Sequence, residues 1–218
     1  MAKKVSKKSV KKITKKSPVK SKKRPAAKES KPKTAKKQSK AEKKIEIVNI
    51  VVSASLGHDI PLEKMAATLP NTEYNPEQFP GLVIRIKDPK TSALIFSSGK
   101  IVCTGARSME KVHESIKKII KNLEKINIKI KEVPVPEIQN IVASGSIGMN
   151  LNLNALAMKL DNTEYEPEQF PGLVYKLPNH RATFLLFSNG KIVCTGTKSE
   201  DEVNDVVDKL IEILKNVV

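Results

Sequence analysis

The side chains best suited to catalysis or metal binding are few and scattered along this 218-residue chain. Its two cysteines, Cys103 and Cys194, form no CxxC pair and no Cys/His cluster of the kind that binds zinc. The three histidines have no nucleophile at a motif spacing, and Gly99-Lys100 has the form of a hairpin turn rather than a phosphate-binding loop. The sequence therefore predicts a protein that is not an enzyme, with no cofactor and no metal.

The two cysteines occupy equivalent positions of an internal repeat whose offset is 91 residues. The offset holds without a gap as far as residues 108 and 199, and it is too long for a solenoid, whose units span about 20 to 50 residues. Two copies of this length indicate duplicated half-domains related by a pseudo-twofold axis, at residues 45–133 and 134–218. The clearest matches pair residues 49–51 with 140–142, 71–74 with 162–165, 76–83 with 167–174, and 99–105 with 190–196.

Each half-domain is predicted to contain strands, a short helix and a closing amphipathic helix. In the first half, β-branched and apolar runs indicate strands at residues 45–52, 81–86, 92–96 and 100–104, with a short helix at 61–69. Ser199 and Glu202 form a capping-box pattern before the second closing helix, whereas Ser108 is followed by Lys111 and lacks the reciprocal bond. The closing helices are predicted from apolar stripes at Val112, Ile116, Ile119, Ile120 and Leu123, and at Val203, Val206, Val207, Leu210, Ile211 and Leu214.

The predicted strands are apolar on both faces, which is unusual for a sheet with one face in water. In the strand at residues 100–104, one face takes Ile101 and Cys103, and the other takes Val102 and Thr104. One long helix in each half can cover one face only, so the other face is left apolar with small hydrogen-bonding groups. The sequence therefore predicts an α+β fold in which one face of the sheet is a binding surface.

A strongly basic segment precedes the repeats. Residues 1–44 hold 20 of the 40 lysines and arginines but 2 of the 23 acidic residues, for a charge of +18, whereas residues 45–218 carry −1. The scarcity of apolar side chains predicts a disordered tail, and its charge density predicts attraction to DNA phosphates through counterion release. A solubilising tail and a nuclear localisation signal are the alternatives. No run in the sequence has the roughly 18 apolar residues that a membrane span needs.

Three segments, at residues 96–105, 139–142 and 165–173, resemble the conserved core of the TATA-binding protein family. The resemblance runs from about Ile45 to the C-terminus through both repeats. It implies a saddle in which two pseudo-symmetric repeats form one curved antiparallel sheet with helices on the convex face. The loops at residues 75–80 and 166–171, here called the first and second stirrups, are nearly identical, as in archaeal members. Those members usually lack a long basic N-terminal tail.

The resemblance also implies a set of DNA-contacting residues. Two phenylalanine pairs match the family's intercalating wedges, because a flat apolar ring can enter a base step in the minor groove and unstack it. These are Phe79 with Phe96 and Phe170 with Phe187, each pair 17 positions apart, whereas Phe184 has no phenylalanine at the equivalent repeat position and is the better candidate for the core.

Further positions match the family's contacts to base edges and to phosphates. Amide, hydroxyl and methyl groups suit A·T pairs, which lack the amino group that guanine places in the minor groove. The matching minor-groove positions are Asn49, Val51, Val102, Thr104, Asn140, Val142, Val193 and Thr195. The matching phosphate-contacting positions are Arg85, Lys100, Arg107, Lys176, Lys191 and Lys198.

Direction along the DNA must come from DNA deformability and from a partner, because a symmetric sheet reads a degenerate groove. In the family the second stirrup binds a transcription factor B-type protein, and here the matching residues are Glu166, Glu168 and Gln169. Together with Glu164 these carboxylates also resemble a general-acid cluster, but a contact with the partner is the favoured interpretation.

The implied function is that of a general transcription initiation factor. It would bind A·T-rich TATA-box promoter DNA as a monomer, bend it, and recruit the transcription factor B-type partner and RNA polymerase. In the absence of DNA, a homodimer that forms through the apolar face is an alternative to the monomer. The expected location is the cytoplasm, on the nucleoid, in an archaeal-type cell, and the nucleus in a eukaryotic one.

Two other functions stay open. The basic tail suggests a non-specific architectural protein that bends or compacts DNA as chromatin proteins do. The non-catalytic half of a base-excision glycosylase contains a related half-saddle, although two full repeats and the absence of a helix-hairpin-helix segment from the sequence disfavour it.

Overall fold

The structure is a computed structural model that describes residues 43–217, so the predicted tail lies outside the described residues except for its last two lysines. The first repeat contains β1 (Lys44–Ser55), α1 (Leu62–Thr68), β2 (Thr72–Glu73), β3 (Gly81–Ile86), β4 (Thr91–Phe96), β5 (Lys100–Ala106) and α2 (Met109–Glu124). The second contains β6 (Glu137–Ser146), α3 (Leu153–Lys159), β7 (Thr163–Glu164), β8 (Leu173–Lys176), β9 (Thr183–Leu186), β10 (Lys191–Thr197) and α4 (Glu200–Val217).

The strands of residues 43–217 form one curved antiparallel sheet in the order β2-β3-β4-β5-β1-β6-β10-β9-β8-β7. The five strands of the second repeat occur in the reverse order of their counterparts in the first repeat, so the two halves of the sheet are symmetric. The pseudo-twofold axis therefore passes between β1 and β6, where Asn49 lies opposite Val142 and Val51 lies opposite Asn140. The predicted α+β saddle of two pseudo-symmetric repeats is confirmed.

The hydrophobic core lies between one face of the sheet and the helices. Ile101 and Cys103 of β5 are buried, as is the apolar stripe that predicted α2. The stripe that predicted α4 is buried except for Ile211, which is half-buried. Phe184 is fully buried in β9, which confirms its assignment to the core. Burial raises the pKa of Cys103 to about 11 and that of Cys194 to about 12, so both thiols stay protonated near neutral pH.

The observed elements extend the predicted ones at their ends. β1 runs on to Ser55 and β5 to Ala106, because the two strands remain paired beyond their apolar runs. The two-residue strands β2 and β7 were not predicted. At the start of α4, the Glu202 amide donates to Ser199 Oγ at 3.1 Å, but the Glu202 carboxylate accepts from the Lys198 amide at 2.7 Å rather than from Ser199. The expected reciprocal bond is thus shifted by one residue.

No helix within residues 43–217 is long and apolar enough to cross a membrane. No group of three or more potential metal-ligating side chains occurs in the same part of the chain.

Candidate nucleic-acid interface

One face of the sheet is not packed against the helices, and its side chains are half-buried rather than buried. On β5 the burial alternates, with Val102 and Thr104 half-buried between the buried Ile101 and Cys103. Cross-strand register extends this surface over both repeats. The open face, as we call it, is formed by Val83, Leu94, Val102 and Ser53 in the first repeat and by Val174, Leu185, Val193 and Ser144 in the second, together with the residues described below.

Four apolar residues of the open face, Val83, Leu94, Val174 and Leu185, were not among the predicted DNA contacts. Leu94 pairs with both Val83 and Val102, and Leu185 pairs in the same way with Val174 and Val193. The alternation of β4, in which Leu94 lies between the buried Ala93 and Ile95, is the signal that could have identified it.

Each repeat carries one pair of phenylalanines at the end of the open face. The ring centroids of Phe79 and Phe96 are 5.9 Å apart at an interplanar angle of 60°. Those of Phe170 and Phe187 are also 5.9 Å apart, at 69°. Phe79 and Phe170 are each 42% exposed, an unusual fraction for a phenylalanine in a well-packed fold. The structure therefore brings together both predicted pairs, with one ring of each presented to solvent.

A glycine in each repeat leaves room for the exposed ring. A Cβ atom at Gly81 would lie 2.6 Å from Phe79 Cε1, and one at Gly172 would lie 2.6 Å from Phe170 Cε1. Both distances are shorter than any ordinary carbon contact. Each exposed ring therefore packs directly against the backbone of its glycine, and this contact limits where the ring can lie.

The polar groups near the pseudo-twofold axis form two identical clusters. Asn49 Oδ1 accepts from the Gly105 amide at 2.7 Å, and Asn49 Nδ2 lies 3.1 Å from Thr104 Oγ1. In the second repeat, Asn140 Oδ1 accepts from the Gly196 amide at 2.8 Å and its Nδ2 lies 3.0 Å from Thr195 Oγ1. The structure thus joins each predicted asparagine to its predicted threonine. The predicted Val51 and Val142 are half-buried beside them.

The six predicted cations are all exposed, but they fall into two classes. Arg85 forms an ion pair with Glu73 at 2.9 Å, and Lys176 lies 3.6 Å from Glu164. The other class contains Lys100 and Lys191 at the hairpin turns and Arg107 and Lys198 after the last strands; none of these four forms an ion pair with another residue in the range 43–217. The paired cations would have to leave a carboxylate to reach a phosphate, whereas the other four would not.

The two stirrups share a backbone conformation and differ at one side chain. In the first, the Gln78 and Phe79 amides donate to the Asn75 carbonyl at 3.1 and 3.0 Å. In the second, the Gln169 and Phe170 amides donate to the Glu166 carbonyl, both at 3.0 Å. Asn75 Oδ1 also accepts from the Glu77 amide at 3.3 Å.

The second stirrup makes no equivalent side-chain bond. Its predicted partner residues, Glu166, Glu168 and Gln169, are exposed, and their side chains form no hydrogen bond within the described part of the chain. An additional negative charge at Glu166 is therefore the main chemical difference between two loops of the same shape.

Comparison with known proteins places these features in one family. A family model described as "Transcription factor TFIID (or TATA-binding protein, TBP)" matches residues 44–126 and again residues 135–217. A TATA-box-binding protein of Archaeoglobus fulgidus is 48% identical over 174 residues, covering 79% of this chain and 95% of that protein. One of Methanocaldococcus jannaschii is 49% identical over 176 residues, covering 81% and 96%. The solved structure of Methanococcus jannaschii TBP matches with a TM-score of 0.75 and 49% identity, over 79% of this chain and 99% of that one.

Proposed function

The chain belongs to the TATA-binding protein family, and we propose that it is a general transcription initiation factor that binds A·T-rich promoter DNA in the minor groove and bends it. The observation that carries this proposal is the duplicated arrangement on the open face. Each repeat presents an exposed phenylalanine pair at one end and an Asn-Thr-Gly cluster near the pseudo-twofold axis. Between them lie half-buried valines and leucines of the open face, and an apolar surface that is left uncovered marks a binding site.

The phenylalanine pairs and the open face between them have different roles in DNA binding. Phe79 with Phe96 and Phe170 with Phe187 enter base steps at the two ends of the site, unstack them and bend the duplex toward the major groove. The opened minor groove then lies against the valines and leucines of the open face. The asparagine and threonine groups donate to adenine N3 and thymine O2, the acceptors that every A·T pair presents there.

The cations supply attraction that is independent of sequence. Lys100 and Lys191 are the strongest candidates for phosphate contacts, because they project from the hairpins without a competing ion pair in the described residues. The basic segment at residues 1–44 adds further non-specific attachment through counterion release. In a cell, the protein is associated with the nucleoid and acts as a monomer on DNA.

A binding comparison tests this function against the alternative of a non-specific architectural protein. The affinity of the full chain is measured for a TATA-like duplex and for a G·C-rich duplex of equal length. The initiation factor binds the TATA-like duplex at least 100-fold more tightly, since specific complexes exceed non-specific ones by about 10³ or more. Equal affinities would favour the architectural protein, for which the basic segment is the supporting observation.

Orientation on the promoter and recruitment of RNA polymerase are assigned to the second stirrup. The open face is nearly symmetric, so only a contact made by one repeat can define a direction. Glu166 and Glu168 are exposed and form no side-chain bond in residues 43–217, which leaves both carboxylates available to basic residues of a transcription factor B-type partner.

Charge reversal tests that contact with a matched control in the same chain. Glu166→Lys with Glu168→Lys is expected to abolish the ternary complex on promoter DNA while leaving binary DNA binding intact. The control, Asn75→Lys with Glu77→Lys, makes a comparable change in the first stirrup and is expected to retain the ternary complex. An undiminished ternary complex in the second-stirrup variant, measured by gel shift, would show the assignment to be wrong.

A further inference from the structure

The amide group of each central asparagine is held in one orientation by a backbone N–H. An N–H group can only donate, so the asparagine atom facing it must be the oxygen, Oδ1. This contact is 2.7 Å from Gly105 to Asn49 and 2.8 Å from Gly196 to Asn140. The same hydrogen bond occurs at both equivalent sites, so it is not explained by a chance choice of rotamer at one asparagine.

The neighbouring threonine completes the arrangement. The distance from Nδ2 to the threonine Oγ1 is 3.1 Å in the first repeat and 3.0 Å in the second, whereas the Oδ1 to Oγ1 distance is 3.2 and 3.3 Å. Each Oδ1 therefore faces two donors of the sheet, the glycine N–H and the threonine hydroxyl, and a carbonyl oxygen can accept from two. Whichever of the asparagine and threonine groups donates to the other, at least one amide hydrogen of each Nδ2 is left without a partner among the described residues.

Gly105 and Gly196 can reach the asparagines because the strand pairing is irregular at both glycines. Gly105 has a φ of +97° and Gly196 a φ of +95°, in the region that side-chain-bearing residues avoid. The β1–β5 pairing shifts register between Ile50 and Val52, and the β6–β10 pairing shifts beside Gly196. A bulge of this kind removes an N–H from the regular ladder and redirects it. Here it is directed at the asparagine.

We propose that the Gly105 and Gly196 backbone N–H groups are specificity-determining groups for minor-groove recognition. By donating to the asparagine oxygens, they turn each Oδ1 towards the strand backbone and leave amide hydrogens of Nδ2 as the donors available to DNA. Such donors match the acceptors of A·T pairs, and the asparagine oxygen that could accept from a guanine amino group is turned away from it. An unpaired buried donor is costly, so each cluster reduces affinity for a base carrying that amino group by about tenfold. The inference rests on the proposed function, because it assumes that the open face contacts the minor groove.

Removing the N–H groups alone tests the proposal. Glycolic acid is placed at positions 105 and 196 of the full chain, so that an ester replaces each amide and the asparagine can turn its oxygen outward. Affinities are measured for a TATA-like duplex and for the same duplex with 2,6-diaminopurine in place of the central adenines. That base adds an amino group to the minor groove and keeps the pairing with thymine.

The wild-type chain is expected to bind the diaminopurine duplex at least tenfold more weakly than the adenine duplex. In the double ester this penalty should fall at least threefold, with bending of the adenine duplex retained. The control is a single ester at Gly57, whose N–H bonds to Ser55 Oγ outside the two clusters, and it should keep the wild-type penalty. An unchanged penalty in the double ester would overturn the inference alone, whereas no penalty in the wild type would overturn the proposed function with it.

A second measurement needs no variant and no DNA. Nuclear magnetic resonance of the free, isotope-labelled full chain should detect a scalar coupling between the Gly105 amide nitrogen and Asn49 Cγ, transmitted through the hydrogen bond. The same coupling is expected between Gly196 and Asn140. Absence of both couplings would overturn the inference even if the ester variant failed to fold, and the result does not depend on the proposed function.

Discussion

Replacement of Phe170 by alanine should weaken DNA binding clearly while lowering the stability of the fold only modestly. The ring is 42% exposed, so a little over half of its surface contributes to stability. Full burial of such a side chain is worth about 1.5 to 3 kcal/mol, which gives a loss of roughly 1 to 2 kcal/mol in the free energy of unfolding. Stacking of one base on an aromatic ring is worth about 1 to 3 kcal/mol, so affinity should fall about 5- to 150-fold.

Phe184 provides the matched comparison, because it is the same residue type in the same repeat but fully buried. Phe184→Ala should cost about 3 to 5 kcal/mol of stability, as core phenylalanines do. The fraction that remains folded should bind and bend DNA normally. Denaturant unfolding measures the first quantity, and fluorescence anisotropy with energy transfer between the duplex ends measures affinity and bending.

A wedge at Phe170 and a core ring at Phe184 require the two variants to differ in this way. Wild-type affinity and bending in Phe170→Ala would mean that the exposed ring has no part in DNA binding. A loss of stability in Phe170→Ala as large as that in Phe184→Ala would mean that the ring is part of the core. Either result would remove the wedge assignment from both repeats, since Phe79 has the same exposure and geometry.

Three smaller predictions concern charge, titration and packing. Lys191→Gln should reduce the slope of log K against log salt concentration by about 0.9, the value for one lost phosphate contact, and an unchanged slope would exclude that contact. The folded-state pKa values of Cys103 and Cys194, about 11 and about 12, lie above the ordinary value of 9.0 that applies to the unfolded chain. Their contribution to the free energy of unfolding is therefore fully present below pH 9 and is lost as the pH rises through the folded-state values. At pH 10 the loss should be about 1 kcal/mol for each thiol, and a double Cys→Ala variant should lack this part of the pH dependence in denaturant unfolding. Thr197 Oγ1 is buried with no hydrogen-bond partner among the described residues, so Thr197→Val should raise the unfolding free energy by about 1 kcal/mol, whereas Ala106→Val at the repeat counterpart should not.

The repeat was the most informative feature of the sequence. A pattern such as Ile101 and Cys103 against Val102 and Thr104 predicts two distinct faces, because successive side chains on a strand point to opposite sides. Its recurrence 91 residues later predicts that the second sheet half is built in the same way. Phe184 could be assigned to the core by the same logic, since its repeat counterpart is not an aromatic residue but Ala93.

Features that depend on neighbouring strands could not be predicted. The hydrogen bond from Gly105 to Asn49 joins residues 56 positions apart and exists only because the β1–β5 pairing is bulged. A glycine inside a strand, such as Gly105, can mark a bulge, but it does not indicate which residue the redirected N–H will meet. The ion pair between Arg85 and Glu73 likewise follows from the pairing of β2 with β3, and β2 is too short to give a periodic signal.

In the proposed complex, each phenylalanine pair opens one base step. The most direct test places 2-aminopurine, whose fluorescence rises when it is unstacked, at successive positions of a TATA-like duplex and adds the full chain. Two positions, one toward each end of the site, should brighten, and Phe170→Ala with Phe187→Ala should remove about half of their summed signal, because the nearly symmetric chain can place its remaining wedge at either end. A uniform signal along the duplex, or an undiminished summed signal in the variant, would contradict wedge insertion by the phenylalanine pairs.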